Sequence, residues 1–152
     1  MKHLIKKLLR ESLLNESDVT YELKNKGEGV VVLAYINGEV VGNITVENPM
    51  SFYDLSDDEC EDGVSAKIYS SGVNSNYRKQ GIYIGMIKYL LQNNDACITT
   101  LESNIYTDIE NPDPDTKRSE DADNFWSHIY KNQSKYGVRI INYDGNYEIS
   151  LR

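Results

Sequence analysis

The apolar residues of positions 1–15 recur at intervals of three and four residues, the spacing that places side chains on one face of a helix. This stripe is made of Met1, Leu4, Ile5, Leu8, Leu9 and Leu13. Lysines occupy the opposite side. The pattern predicts an amphipathic N-terminal helix that ends near Asn15.

The next part of the chain has the pattern of β-strands. Segments 19–25, 29–37 and 38–48 are rich in β-branched residues, and short turns that contain glycine separate them. One of these turns is Asn37-Gly38, a dipeptide that favours a two-residue hairpin loop. We therefore expect three consecutive antiparallel strands.

From residue 63 onward, strands and helices alternate. Segment 63–73 predicts a strand, a helix follows from about Gly81 to Gln92, and segment 96–103 predicts a short apolar strand. The buried stripe of this helix is expected to be Ile82, Met86, Ile87 and Leu90. Such spacing is typical of a helix that packs on a sheet.

A third helix is expected after Ser119, because a serine is well suited to cap the first turn of a helix. Its apolar face is expected to comprise Ala122, Phe125, Trp126, Ile129 and Tyr130. Gly137 can close this helix. Strands at 138–143 and 147–152 then flank a tight turn at 144–145.

Two loops that are dense in carboxylates, 49–62 and 103–119, separate some of these elements. The second is the longer, and such loops are often functional or mobile. The resulting order is α-β-β-β-β-α-β-α-β-β. It predicts one α/β domain over residues 1–152, with a mixed sheet.

The net charge of −8 is unevenly distributed, because basic residues are concentrated in the N-terminal helix. An acidic body repels nucleic acid phosphates, so a general role in nucleic acid binding is disfavoured. The longest apolar stretch falls short of the about 20 residues of a transmembrane helix, and the pattern of a signal peptide is absent. We therefore expect a cytoplasmic protein without a transmembrane segment.

The two cysteines, Cys60 and Cys97, have neither CxxC spacing nor neighbouring histidines. This pattern does not favour a metal site. Intracellular proteins keep such thiols reduced. We therefore expect two free thiols rather than a disulfide between them.

The stretch VNSNYRKQGIY, residues 73–83, combines a strand end, a basic turn and the start of a helix. The first amide N–H groups of a helix lack intrahelical acceptors and carry partial positive charge. Gly81 permits close approach to the backbone, while Arg78 and Lys79 add full charges. The stretch favours binding of an anion such as a diphosphate. An ordinary basic turn that caps a helix is the alternative.

This stretch resembles motif A of the GNAT N-acetyltransferase superfamily, which is approximately V-x-P-x-Y-R-x-x-G-I-G/A before a helix. The matching residues are Val73, Tyr77, Arg78, Gly81 and Ile82. Asn74-Ser75 replaces the x-Pro step, and Tyr83 replaces a glycine or alanine. From about residue 19 to 150 the predicted order of elements also resembles that superfamily.

The resemblance implies that acetyl-CoA is the cofactor. Its pyrophosphate is expected at the turn and helix start, which here comprise Arg78, Lys79, Gln80, Gly81, Ile82 and Tyr83. In the superfamily the pantetheine arm lies where two parallel strands splay apart, which here implies strands 63–73 and 96–103. Backbone near Ser71 and Val73 is expected to hold the arm.

A weaker similarity concerns the third helix, where the superfamily often shows N-x-x-A-x-x-F-Y. The corresponding residues are Ser119, Ala122, Phe125 and Trp126. The resemblance therefore places Ser119 among the candidate cofactor-binding residues. Trp126 stands where a tyrosine commonly acts as general acid, but we expect core packing, since an indole N–H is not a usable proton source.

Two residues are candidates for proton transfer. Tyr130, one helical turn after Trp126, is the candidate general acid, with ordinary half-buried packing as the alternative. Glu61, in the first acidic loop, is the candidate base, with a solvated loop as the alternative.

Two functions remain open. The first is an N-acetyltransferase whose acceptor is a small cationic amine or a protein, because acidic loops attract cations. The second is a GNAT-like binding or structural module without turnover, docking through the N-terminal helix. That helix also leaves a homodimer open. The superfamily inserts one or two helices between its first two strands, and this chain lacks them. Separately, the segment IKKLLRES near the start of the sequence is similar to the N-terminal segments of phage-encoded proteins.

Overall fold

The computed structural model describes residues 18–26, 29–47, 62–78, 81–103, 120–143 and 145–152. The predicted N-terminal helix and most of both acidic loops lie outside the described residues. So do four candidate site residues, which are Glu61, Lys79, Gln80 and Ser119. The expectations for these residues stay predictions.

The described residues form the predicted succession of strands and helices. The strands are β1 (Val19–Lys26), β2 (Gly29–Ile36), β3 (Glu39–Glu47), β4 (Val64–Val73), β5 (Ile98–Glu102), β6 (Val138–Tyr143) and β7 (Asn146–Leu151). The helices described are α1 (Ile82–Asn93), α2 (Glu120–Lys131) and α3 (Gln133–Tyr136), together with a short 3-10 helix, Ser75–Tyr77. The predicted α/β fold class is confirmed.

All seven strands belong to one mixed sheet in the order β1-β2-β3-β4-β5-β7-β6. The first four form an antiparallel meander, β4 and β5 are parallel, and β7 inserts antiparallel between β5 and β6. A parallel pair needs a crossover connection. Helix α1 provides it, and so its N-terminal end lies just beyond the carboxyl end of β4.

The core lies between the helices and one face of the sheet. Along β2 the buried positions alternate, as expected for a strand with one covered face. The predicted stripe of α1 is 0% to 2% exposed at Ile82, Met86, Ile87 and Leu90. Helix α1 packs across β1 to β5 and β7, whereas α2 contacts β6. Each fully buried side chain of this kind stabilises the fold by about 1.5–3 kcal/mol.

The third predicted helix is divided at Asn132. The φ of this residue is −119°, outside the helical range. Its side-chain amide and its backbone N–H both donate to the carbonyl of His128, at 2.8 Å and 3.1 Å. Gly137, with φ +69°, therefore closes the short helix α3 rather than α2.

Cys97 is disulfide-bonded, which corrects the expectation of free thiols. The only other cysteine of the chain, Cys60, lies outside the described residues. A disulfide requires two cysteines whose Cα atoms lie within about 7 Å of each other. Spacing along the chain does not reveal that distance, so the sequence pattern could not predict the bond.

Candidate functional site

Strands β4 and β5 are paired over only part of their length. Their parallel register ends at the pair Lys67 and Glu102. Beyond this pair, within the described part of the chain, β4 continues to Val73 along β3. The end of β5, by contrast, turns toward β7, where the N–H of Ser103 donates to the carbonyl of Tyr147 at 2.8 Å. The two parallel strands therefore diverge, as the splayed arrangement predicts.

The side chain of Ser103 holds the end of β5 against β7. Its Oγ accepts a hydrogen bond from the N–H of Tyr147 at 2.8 Å and donates to Oδ1 of Asn146 at 3.1 Å. Ser103 is only 3% exposed. A satisfied buried hydroxyl of this kind fixes the direction of the chain. We refer to the space between residues 68–73 of β4 and the end of β5 as the cleft.

A β-bulge reshapes β4 at the closed end of the cleft. The register with β3 shifts so that Tyr69 is an extra residue between Ile68 and Ser70. A bulge leaves its extra residue out of the ladder and increases the local twist of the strand. Tyr69 is 62% exposed. The bulge thus turns β4 away at the position where its pairing with β5 stops.

The turn after β4 is held by its own polar groups. Asn74 caps the 3-10 helix, because its Oδ1 accepts from the N–H of Asn76 at 3.2 Å and its carbonyl accepts from the N–H of Tyr77 at 2.8 Å. Arg78 follows, and its Nε donates to the carbonyl of Val73 at 3.2 Å. The guanidinium group therefore lies at the end of β4.

Gly81 caps the N-terminal end of helix α1 and has φ +77°. This left-handed conformation favours glycine. A Cβ at this position would meet no heavy atom of the described residues within 4 Å, so they leave the space above the backbone open. The first bond of the helix runs from the N–H of Gly85 to the carbonyl of Gly81 at 2.9 Å. By helix geometry, the amides before Gly85 point out of the helix end.

Tyr83 extends from the first turn of α1 to β4. Its hydroxyl donates to Oγ of Ser71 at 2.9 Å. Its ring packs edge-on against Phe125 of α2, with 4.5 Å between centroids, and lies 6.5 Å from the ring of Trp126. The tyrosine that replaces a small residue of the motif therefore extends from α1 to β4, with its ring against α2.

An aromatic cluster supports α2 beside the cleft. Trp126 is 2% exposed, and its ring stacks on Tyr147 of β7 at 5.9 Å with an interplanar angle of 11°. Phe125 lies 5.4 Å from the Trp126 ring. The prediction that Trp126 belongs to the core is confirmed.

The candidate acid Tyr130 lies on the same helix and is 39% exposed. Its described ring contact is with Tyr147, at 5.9 Å between centroids. The structure thus brings together Ser71, Val73, Arg78, Gly81, Ile82 and Tyr83, whereas Tyr130 lies on α2 against Tyr147 of β7. The role of Tyr130 stays a prediction.

Glu102 was not singled out by the sequence analysis, although it lies where the two strands diverge. Its carboxylate accepts a hydrogen bond from Oγ of Ser65 at 3.3 Å. In the register of the sheet it stands between Lys67 of β4 and Glu148 of β7. A single glutamate at a strand end gives no local signal, and only the pairing of distant segments reveals its position.

Other chemistry in the described residues is limited. No group of three or more His, Cys, Asp or Glu side chains that could hold a metal ion occurs there. None of the described helices combines the length and the apolar character needed to cross a membrane. A shallow depression of about 410 Å³ is lined by Leu91, Thr99, Thr100, Ser150 and Leu151, at the opposite end of β5 from the cleft.

No protein-family model and no curated protein matches this chain. Solved structures of similar fold include a GNAT family acetyltransferase from Elizabethkingia anophelis with acetyl-CoA bound. Its sequence identity is 14% and its TM-score 0.47, with 90% of this chain and 99% of that chain covered.

Two further structures are similar over much of their length. A diaminobutyrate acetyltransferase from Paenibacillus lautus, in complex with L-2,4-diaminobutyric acid and coenzyme A, has 16% identity and TM-score 0.46, covering 80% of this chain and 69% of that chain. The ribosomal-protein-S18-alanine N-acetyltransferase from Escherichia coli has 13% identity and TM-score 0.45, covering 84% and 70%.

Proposed function

We propose that this protein is an acetyl-CoA-dependent N-acetyltransferase. The observation that carries the proposal is the divergence of β4 and β5 directly beside the N-terminal end of α1. An anion site at a helix end and a slot between two strands are thereby adjacent. This combination fits a ligand with a diphosphate and a long, narrow arm.

The residues at the start of α1 fit the diphosphate. Gly81 leaves open space above its backbone, and the amides of the first helical turn carry partial positive charge. Arg78 adds a full charge at the same place. Lys79 and Gln80 belong to the same proposed contact, although they lie outside the described residues.

The cleft fits an extended arm. From Val73 back to Lys67, β4 spans about 20 Å. An arm anchored near Gly81 would run along this strand, past Ser71, toward Glu102. The backbone carbonyl of Val73, at the end of β4, already accepts a hydrogen bond from Arg78. The proposal therefore places the arm's backbone contacts at Ser71 and at the bulge rather than at the carbonyl of Val73.

Acetyl-CoA, when bound, supplies the acetyl group as a thioester. We assign the role of base to Glu102, whose carboxylate accepts a proton from the acceptor's ammonium group, directly or through water. The neutral amine would then form the new C–N bond while the C–S bond breaks, and the second proton of the nitrogen would pass to solvent, from which Tyr130 regains the proton that it gives. Tyr130 is retained as the acid that returns a proton to the departing sulfur. Ser65 positions the Glu102 carboxylate through its hydrogen bond.

The acceptor is proposed to be cationic. Three glutamates, Glu47, Glu102 and Glu148, lie in one row across β3, β5 and β7, with Lys67 between the first two. Together with the net charge of −8, this row attracts a protonated amine to the face of the sheet opposite the core. The proposal covers small amines and lysine-bearing proteins alike.

A second candidate function is a binding or structural module without turnover. The position of Tyr83 favours it, because the ring crosses the cleft and its hydroxyl bonds to the strand that would hold the arm. The protein would then function by docking through its N-terminal helix, and it would not bind acetyl-CoA.

Thermal denaturation with CoA and acetyl-CoA separates the two functions. A ligand at 100 times its dissociation constant stabilises the protein by about 2.7 kcal/mol. We expect such a shift for the parent and its loss in Arg78→Glu, with Arg139→Glu on β6 as the matched control. If CoA binds, release of free thiol with polyamines, aminoglycosides and lysine peptides tests turnover. A module without turnover gives neither a shift nor thiol release.

A further inference from the structure

The side chain of Tyr83 connects three elements that border the cleft. Its backbone belongs to α1, its hydroxyl donates to Ser71 of β4 at 2.9 Å, and its ring contacts Phe125 of α2 at 4.5 Å. A ring in this position crosses the path from Gly81 along β4. The tyrosine ring and a ligand arm in the cleft would therefore occupy the same space.

We propose that Tyr83 is a gate that decides whether the cleft admits a CoA arm, and that its hydrogen bond to Ser71 is the latch. The inference rests on the proposed function. The cleft is closed while the hydroxyl donates to Ser71. It opens when the side chain turns toward solvent, after which the backbone of Ser71 is available to the ligand.

The surroundings of Tyr83 permit this movement. Its ring is half-buried, and the hydrogen bond to Ser71 is exposed. Phe125, its main ring contact, is half-buried as well. Trp126, by contrast, is 2% exposed and stacked on Tyr147, so it forms a fixed wall. The movable part of the cleft is therefore the tyrosine rather than the helix behind it.

Affinity follows from the fraction of open molecules. When only that fraction binds, the apparent dissociation constant is the intrinsic constant divided by the open fraction. Contacts that close the gate therefore weaken binding, and their removal strengthens it. This is the opposite of what a residue that contacts the ligand would show.

The test is the dissociation constant of CoA, measured by titration calorimetry on the full chain. Tyr83→Phe and Ser71→Ala each remove the latch, and we expect both to tighten binding by a similar factor of about three to ten. Their double variant should tighten it no further, because the two residues share one interaction. Tyr83→Ala also removes the ring contacts and should bind tightest. Tyr89→Phe on the same helix and Ser150→Ala on β7, outside the cleft, are matched controls that should equal the parent.

Each pattern of results decides between the gate and the proposed function. If the parent binds CoA and Tyr83→Ala binds equally or more weakly, the gate is overturned and the function stands. If Tyr83→Ala binds and the parent does not, the ring closes the cleft permanently, which supports the assignment of Tyr83 and overturns the proposed function. If no folded variant binds, both are overturned. Circular dichroism and the melting temperature of each variant establish that it is folded.

Discussion

Tyr35 shows how one contact sets the chemistry of one residue. Its hydroxyl donates to Oε2 of Glu22 on the neighbouring strand at 2.9 Å. This hydrogen bond, ahead of burial and of the charge of Glu22, raises the pKa of Tyr35 above its ordinary value of 10.0. The pair lies on β1 and β2 rather than on the strands that border the cleft.

We expect Tyr35 to ionise above pH 10.0 in the folded protein. A raised pKa means that the folded state holds the proton more tightly than the unfolded state. The stability from this pair is therefore complete below about pH 10 and is lost as the pH rises through the folded pKa. The ultraviolet difference titration of the parent against Tyr35→Phe measures this ionisation. The same titration on Glu22→Ala should lower the pKa of Tyr35 toward its ordinary value, and an unchanged curve would show that the hydrogen bond to Glu22 is not the main cause.

The proposed base is also tested at a single residue. Glu102→Gln keeps the shape of the side chain but cannot accept the acceptor's proton, so we expect kcat/KM to fall by about 100-fold or more. CoA affinity should stay unchanged. Glu148→Gln, one strand further, is the control and should retain the parent's kcat. A parent-like kcat/KM in Glu102→Gln would remove Glu102 from the reaction.

The largest buried side chain of helix α2 is Trp126. Trp126 is 2% exposed between Phe125 and Tyr147, and so its contacts hold α2 beside the sheet. Large side chains in such positions cost about 3–5 kcal/mol when they are truncated to alanine.

We therefore expect Trp126→Ala to lower the free energy of unfolding by about 3–5 kcal/mol, measured by urea titration. Tyr143→Ala is the comparison, because Tyr143 is 57% exposed on β6. Tyr143→Ala should change the free energy of unfolding by no more than about 0.5 kcal/mol. Equal losses in the two variants would mean that Trp126 does not attach the helix.

The helices and strands themselves could be predicted from the sequence because each has its own period. The spacing of four apolar residues predicted α1, and all four are buried: Ile82, Met86, Ile87 and Leu90. The break at Asn132 was not predictable in this way, since the apolar spacing continues on both sides of it. It depends on side-chain and backbone hydrogen bonds to His128 that no apolar pattern reports.

The candidate site could be predicted in part, for a reason that belongs to the whole molecule. The strand end and the helix start are local, so the pattern at residues 73–83 predicted the end of β4 and the start of α1, while the binding role of these residues stays a prediction. The position of Glu102 depends on which strands pair, and the direction of the Tyr83 ring depends on packing between α1 and α2. Both are set by contacts between distant parts of the chain.

At the scale of the molecule, the sheet is an antiparallel meander joined to a second antiparallel unit by the short parallel contact of β4 and β5. The cleft exists because that contact ends early, while α1 delivers its N-terminal end to the same place. Ser103 on one side and the Tyr69 bulge on the other keep the strands apart. The proposed function needs all of these features together.

The most direct test of this account is a crystal structure of the chain with CoA. We expect the diphosphate on the amides at the start of α1 beside Arg78, the arm between β4 and β5, and Tyr83 turned away from Ser71. Density for CoA at any other place, or a cleft in which Tyr83 still bonds to Ser71 at saturating CoA, would contradict it.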